Sequence, residues 1–347
     1  MVMRAAVFGG AGFIGTNLVY RLIDNGCQVF NFDNLSGLGN LLNIAELMQQ
    51  SNHSFARCDV TNSEEIRQSL LMAAPDTIFF CITPKKLDSS NALEPFECFL
   101  KTLKNWRETF ADRVLPVSKI VIVISEFHKS QKQLKKVYDD IKAVIDQYVA
   151  EGLPVTSLFV PIAFGPFQQP DSPIPLIIYR AIEGETIPVM YPEEPAGDLV
   201  YVKDVAEACL LVEDRGQIGV HYEMEETQPS FTNIEAADCI CSVLNKYLPP
   251  PVGRYQALIE EIAADTPPAP EIPKNEASLD RLGHLTKTPL SEGLSATVKW
   301  YLDNDRWYSQ SKVLLSLAKP GKRFIVIKLK AWKIFLRPFV CFVQRIT

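Results

Sequence analysis

Two periodicities alternate along the first half of the chain. Arg4–Phe8 is a short, unbroken apolar run. From Gly12 to Asn25 the positions Ile14, Leu18, Leu22 and Ile23 share one face of a predicted helix, which Asn25-Gly26 stops. Gln28–Asp33 reads as the next strand, a third strand ends at Asp59-Val60, and Glu64–Met72 is a helix behind the Thr61/Ser63 cap region. Thr77–Ile82 (TIFFCI), Lys119–Ser125 (KIVIVIS) and Val155–Val160 are further strands, apolar at almost every position. A strand apolar on both faces is buried on both faces. Alternation of such strands with helices predicts a doubly wound parallel α/β sheet.

Beyond Gly165 the texture changes. Prolines cluster at 166–175, 249–251 and 267–273, and Asp265–Lys274 predicts an extended surface loop. No internal repeat is present. The predicted organisation is a main domain over 1–165, a smaller lobe over 166–308 with some strands returning to the main sheet, and a tail over 309–347.

Composition narrows the class. Of 347 residues, 47% are hydrophobic and 22% charged, which excludes a largely disordered chain. A net charge of −6 argues against a nucleic-acid partner. The eight cysteines include no CxxC pair, and the four histidines (His53, His128, His221, His284) lie far apart, so no metal site is expected. Reduced thiols and the lack of a signal-peptide pattern suggest a cytoplasmic protein. The charge is uneven, however. Nine basic and no acidic residues follow Ser309, leaving −15 on residues 1–308.

The strongest chemical signal is GGAGFIG, Gly9 to Gly15, between a strand and a helix. Gly9, Gly12 and Gly15 supply, in order, a tight turn, close backbone approach to a pyrophosphate, and close helix–sheet packing. The helix then presents its N–H groups to the phosphates, with Phe13 and Ile14 in the same turn. Asp33, 18 residues after Gly15, suits hydrogen bonds from ribose hydroxyls and favours NAD over NADP. Asn34 is its neighbour in the candidate cofactor set. Asp59 and Val60 fit either a place beside adenine or a solvated turn. A glycine turn without ligand, and Asp33 as a loop cap, are the structural alternatives.

With GGAGFIG, the segments FDNLSGLGN (Phe32–Asn40) and CDV (Cys58–Val60) resemble the extended short-chain dehydrogenase/reductase family, in its nucleotide-sugar epimerase/dehydratase branch. GLPVTSLFVPIAFGP (Gly152–Pro166), GDLVYVKDVAEACL (Gly197–Leu210) and LDRLGHLTKTPLSEGLSATVKWY (Leu279–Tyr301) extend the likeness to about Tyr308. The resemblance implies a Rossmann-type domain, NAD, a substrate-binding C-terminal lobe, a nucleotide-sugar substrate and a homodimer built from two helices per subunit. It also implies a Ser/Thr, Tyr, Lys group in which tyrosine moves a proton while NAD takes the hydride. Tyr138 and Lys142 (YDDIK), with Ser125 at a strand end, match that pattern, and Lys142 is also expected on the nicotinamide ribose.

The match has departures. A second YxxxK occurs at Tyr308 and Lys312. The span from Tyr138 to Val155–Val160 is roughly five residues shorter than in the family, more than one helical turn. Closing that gap would put Gln133 and Val137 at the catalytic positions. The strand end reads Phe80-Cys81-Ile82-Thr83 where the family has small residues. Phe159 and Gly197 stand where it has arginines, leaving Arg254 or Lys203 for a diphosphate. The expected function is an NAD-dependent nucleotide-sugar epimerase or dehydratase. The alternatives are a catalytically silent NAD-binding scaffold or regulator, or a reductase of a non-sugar substrate.

The tail holds RFIVIKLKAWKIFLRPFVCFV (Arg323–Val343). Lys328, Lys330, Lys333 and Arg337 interrupt it too often for a bilayer span. Aromatic and basic groups in this mixture suit a segment lying on an anionic membrane surface. Packing on the body or on a second subunit is the other reading.

Overall fold

The computed structural model describes residues 2–36, 39–82, 92–109, 117–125, 132–170, 172–191, 199–224, 232–250, 253–263, 278–283 and 287–310. Gly197, the Asp265–Lys274 loop, Lys312 and the sequence beyond it lie outside the described residues.

The chain runs β1 (Arg4–Phe8), α1 (Phe13–Asp24), β2 (Gln28–Asp33), β3 (His53–Arg57), α2 (Ser63–Ala73), β4 (Thr77–Phe80), α3 (Glu94–Thr109), β5 (Lys119–Ile124), α4 (Lys132–Ala150) and β6 (Val155–Phe159). It continues through β7 (Ile162–Phe164), α5 (Pro173–Glu183), β8 (Ile187–Tyr191), β9 (Leu199–Tyr201), α6 (Val202–Arg215), β10 (His221–Glu223), α7 (Asn233–Tyr247), β11 (Ile259–Ala263) and α8 (Leu290–Asp303). The large sheet has seven strands in the order β10-β6-β5-β4-β1-β2-β3, and every pairing in it is parallel. The order reverses between β1 and β4, which opens a crevice at the carboxyl ends of the strands. Two parallel pairs, β11-β8 and β7-β9, stand apart from it.

Burial on both faces explains the unbroken apolar strands. Alternate residues of β1 and β5 serve opposite layers. Ala5, Val7, Val121 and Val123 face a core with α1 and α6, while Ala6, Phe8, Ile120 and Ile122 face one with α2, α3 and α4. The second layer is aromatic. Phe99 meets Phe8 and Phe80 with ring centroids 4.9 and 4.5 Å apart, each burial contributing about 1.5–3 kcal/mol. Helix α1 buries Ile14, Leu18 and Leu22, with Ile23 partly covered.

A third core gathers Phe164, α5, α7, α8 and the pair Trp307 and Tyr308. Phe167 joins it to α1. Its ring stacks on Tyr20 of α1 at 5.4 Å and meets Trp300 of α8 at 4.7 Å, and its backbone is held at a positive φ of 68°. Asp204 ties α6 to the entrance of α8 by accepting the Thr288 N–H and hydroxyl, both at 2.7 Å.

Candidate functional site

The turn after β1 is built from contacts too close for side chains. Gly9 has φ +83°, and a Cβ there would sit 2.5 Å from the Cys81 carbonyl oxygen at the end of β4. A Cβ on Gly15 would run into the Gly9 carbonyl oxygen, so α1 could not approach the turn. Gly12 is different. A Cβ there would meet only the Gly9 oxygen, at 3.2 Å. It is the N-cap of α1, and no side chain caps that helix or places an acid in its first turn. The N–H groups at Phe13 and Ile14 therefore open onto the crevice with the positive end of the helix dipole behind them. Such a terminus suits a pyrophosphate.

Asp33 ends β2 beside this turn. One carboxylate oxygen accepts the Ala11 N–H at 3.1 Å and the other the Leu35 N–H at 2.8 Å. Burial raises its pKa, against the lowering effect of those two bonds. Asn34 donates to Asp59 Oδ2 at 3.3 Å, joining the ends of β2 and β3. Asp59 also accepts the Thr61 N–H and hydroxyl, at 2.9 and 2.7 Å, while its own N–H goes to Glu65. These bonds outweigh its desolvation and hold its pKa below the ordinary value. Asp59 is thus bound into the turn before α2, and Val60 is buried in the aromatic core. Gly9, Gly12, Phe13, Ile14, Gly15 and Asp33 come together at the crevice; Asn34 and Asp59 rim it as a bonded pair.

The residues expected to do chemistry are placed differently. Tyr138, Ile141, Ile145 and Tyr148 are spaced as one helical stripe, and all four are buried in the core beneath α4. Tyr138 is 1% exposed, and its ring stands edge-on to Phe159 with centroids 6.2 Å apart. The expectation that its hydroxyl faces a substrate therefore meets a side chain on the sheet-facing stripe of the helix. Lys142, at the edge of that stripe, lies over the Phe159 ring at 4.5 Å and pairs with Glu223 of β10 at 3.4 Å. Ser125 follows β5 and is buried. Residues 83–91 and 126–131 lie outside the described residues; Gln133 lies in α4, and Val137 is partly buried in the core.

Sequence reasoning missed a second polar group beside Lys142. The Ser157 hydroxyl and His221 Nδ1 are 2.7 Å apart, and His221 Nε2 lies 3.0 Å from Asp146 of α4. Asp146 and Lys142 share a helix face at i,i+4 spacing, the only hint the sequence carried. Cys81, against the glycine turn, has its thiol pKa pushed up to about 12 by burial alone. Among the described residues, no group of His, Cys, Asp or Glu is arranged to hold a metal ion.

An all-parallel sheet with a glycine turn at its switch point, an uncapped helix N-terminus and an acid closing β2 is a dinucleotide-binding α/β fold. Comparison narrows the class. The model of the NAD dependent epimerase/dehydratase family matches residues 5–104 and 125–224, and the chain belongs to that family. A dTDP-glucose 4,6-dehydratase of Xanthomonas campestris pv. campestris (strain B100) is 28% identical over 330 residues, covering 87% of this chain and 93% of that protein. One of Escherichia coli is 26% identical, over 89% and 96%. Among solved structures, a dTDP-glucose 4,6-dehydratase from Bacillus anthracis in complex with NAD superposes with a TM-score of 0.71 at 20% identity, covering 89% of this chain and all of that one.

Proposed function

We propose that the chain is an NAD-dependent enzyme acting on a nucleotide-sugar, as an epimerase or dehydratase. The observation that carries this is the glycine turn, whose Gly12 cradle and open helix terminus fit a pyrophosphate beside a ribose acceptor at Asp33. The relatives named as dTDP-glucose 4,6-dehydratases align over most of their length and support the substrate class. NAD, when bound, supplies a hydride acceptor for a sugar carbon. The N–H groups at Phe13 and Ile14 hold its phosphates, and Asp33 accepts from its adenosine ribose. The lobe over 166–308 covers the sugar nucleotide, with Arg254 or Lys203, both exposed, as a cation for its diphosphate. Ser125, Tyr138 and Lys142 are the proposed proton-transfer group. A homodimer belongs to the same reading, as does contact of the basic tail with an anionic membrane surface from the cytoplasmic side.

The burial of Tyr138 and the pairing of Lys142 with Glu223 favour a second reading, a family member that binds NAD without turning over a sugar. Incubation with NAD and a panel of dTDP-, UDP- and GDP-sugars separates the two. The first reading expects a changed sugar product from the wild type, and a loss of at least about a hundredfold in Tyr138→Phe with NAD binding spared. Full activity in Tyr138→Phe removes that tyrosine from the mechanism. No product from the wild type with any sugar supports the second reading.

A further inference from the structure

The C-terminal segment 305–310 reaches back across the chain to the glycine turn through three polar groups in line. The Trp307 indole N–H donates to Asn43 Oδ1 at 2.7 Å, and Asn43 Nδ2 donates to the Ala11 carbonyl at 2.8 Å. Asn43 is fully buried and Trp307 nearly so. Ala11 lies between Gly10 and Gly12, at the centre of the turn. Its carbonyl also accepts the Asn40 N–H at 3.0 Å, and its own N–H is held by Asp33 at 3.1 Å.

The chemistry of the pair sets its direction. An indole N–H only donates, so it claims the amide oxygen of Asn43 and turns the amide nitrogen toward Ala11. Trp307 is itself fixed by rings of the third core, with Trp300 at 4.9 Å and Tyr301 at 5.9 Å. Ala11 is thus held at its N–H by Asp33 and at its carbonyl by Asn43, which Trp307, 264 positions further along the sequence, orients.

We infer that Asn43 and Trp307 are positioning residues for the dinucleotide, with the C-terminal helical segment completing the phosphate turn from outside the nucleotide-binding half. Neither touches the cofactor. They set the orientation of the Ala11 peptide and so the aim of the N–H groups that follow it. This rests on the reading of the turn as the NAD site. By linkage, NAD in turn steadies the seating of residues 305–310.

Calorimetric titration of the full chain with NAD, and separately with dTDP, tests this in the wild type, Trp307→Phe, Asn43→Asp and the double variant. Trp307→Phe keeps a ring and loses the donor. Asn43→Asp keeps the acceptor for the indole and sets an oxygen against the Ala11 carbonyl. Each single variant is expected to weaken NAD binding about five- to tenfold, with dTDP affinity held within about twofold. The double variant is expected to bind NAD no more weakly than Asn43→Asp, because the indole acts through the amide. Unchanged NAD affinity in both single variants overturns the inference, as does a parallel loss of NAD and dTDP binding, which marks a purely structural role. If Trp307→Phe does not melt cooperatively, Asn43→Asp alone decides by the same criteria. A wild type that binds dTDP but not NAD overturns the cofactor reading and this inference with it.

Discussion

Asp33 carries two backbone N–H groups and is still held in a site that penalises its charge. Its raised pKa sets up two opposite pH responses. Between the value of an ordinary aspartate and the higher folded one, the folded chain binds a proton that the unfolded chain does not. The Asp33 contribution to stability in the unliganded protein therefore grows as pH falls through that window. NAD affinity moves the other way, since a neutral carboxyl accepts ribose hydroxyls less strongly than a carboxylate. Asp33→Asn is expected to weaken NAD by about ten- to a hundredfold and to flatten the acid limb of the affinity profile, read by calorimetry across pH. Asp33 was legible in sequence because its place is counted from a glycine motif along one short βαβ unit. Asn43 was not, because its partners are the turn and a tryptophan near the far end of the described chain. Tyr138 shows the converse. A YxxxK spacing coincides with helix periodicity, so the same tyrosine satisfies a catalytic pattern and a buried stripe.

At the scale of elements, β10 is the least predictable part of the large sheet. Three residues, His221–Glu223, give no periodicity to read, yet they form its edge beside β6. Tyr222 is buried in the first core, and the residues on either side of it are held by polar groups. His221 lies between Ser157 of β6 and Asp146 of α4, and Glu223 pairs with Lys142 of α4. Burial lowers the His221 pKa. Asp146 and Glu223 pull it up and Lys142 pushes it further down, so the ring is neutral when folded at neutral pH. As pH falls from the ordinary imidazole range through the folded value, the unfolded state takes the proton first and stability is lost. Urea melts over this range are expected to show that loss in the wild type and a smaller one in His221→Gln. Equal slopes would mean that His221 does not report on this edge. The elements of the first βαβ unit were legible, whereas α3, α5, α7 and α8 carried no pattern that was read as a helix. Gln28–Asp33 has the same ends in sequence and structure, and the predicted helix Gly12–Asn25 differs from α1 by one residue at each end. The later strands are three to five residues long and separated by prolines, which leaves too few positions for a pattern.

Over the whole molecule, charge is segregated, with −15 on residues 1–308 and nine basic side chains after them. Among the described residues no helix is long and apolar enough to cross a membrane. Trp307 and Tyr308 belong to the third core, so a chain cut after Ser311 retains every described contact of that core. Such a truncation is expected to melt as the full chain does and to lose binding to vesicles containing anionic lipid; unchanged vesicle binding would remove the tail from that role. The proposed activity requires that the crevice between β1 and β4 hold a dinucleotide. Titration of the full-length chain with NAD and with NADP tests that most directly. Saturable binding at one site per chain is expected, with NAD bound more tightly than NADP, because a 2′-phosphate would face the Asp33 carboxylate. Absence of NAD binding, or a preference for NADP, would contradict it.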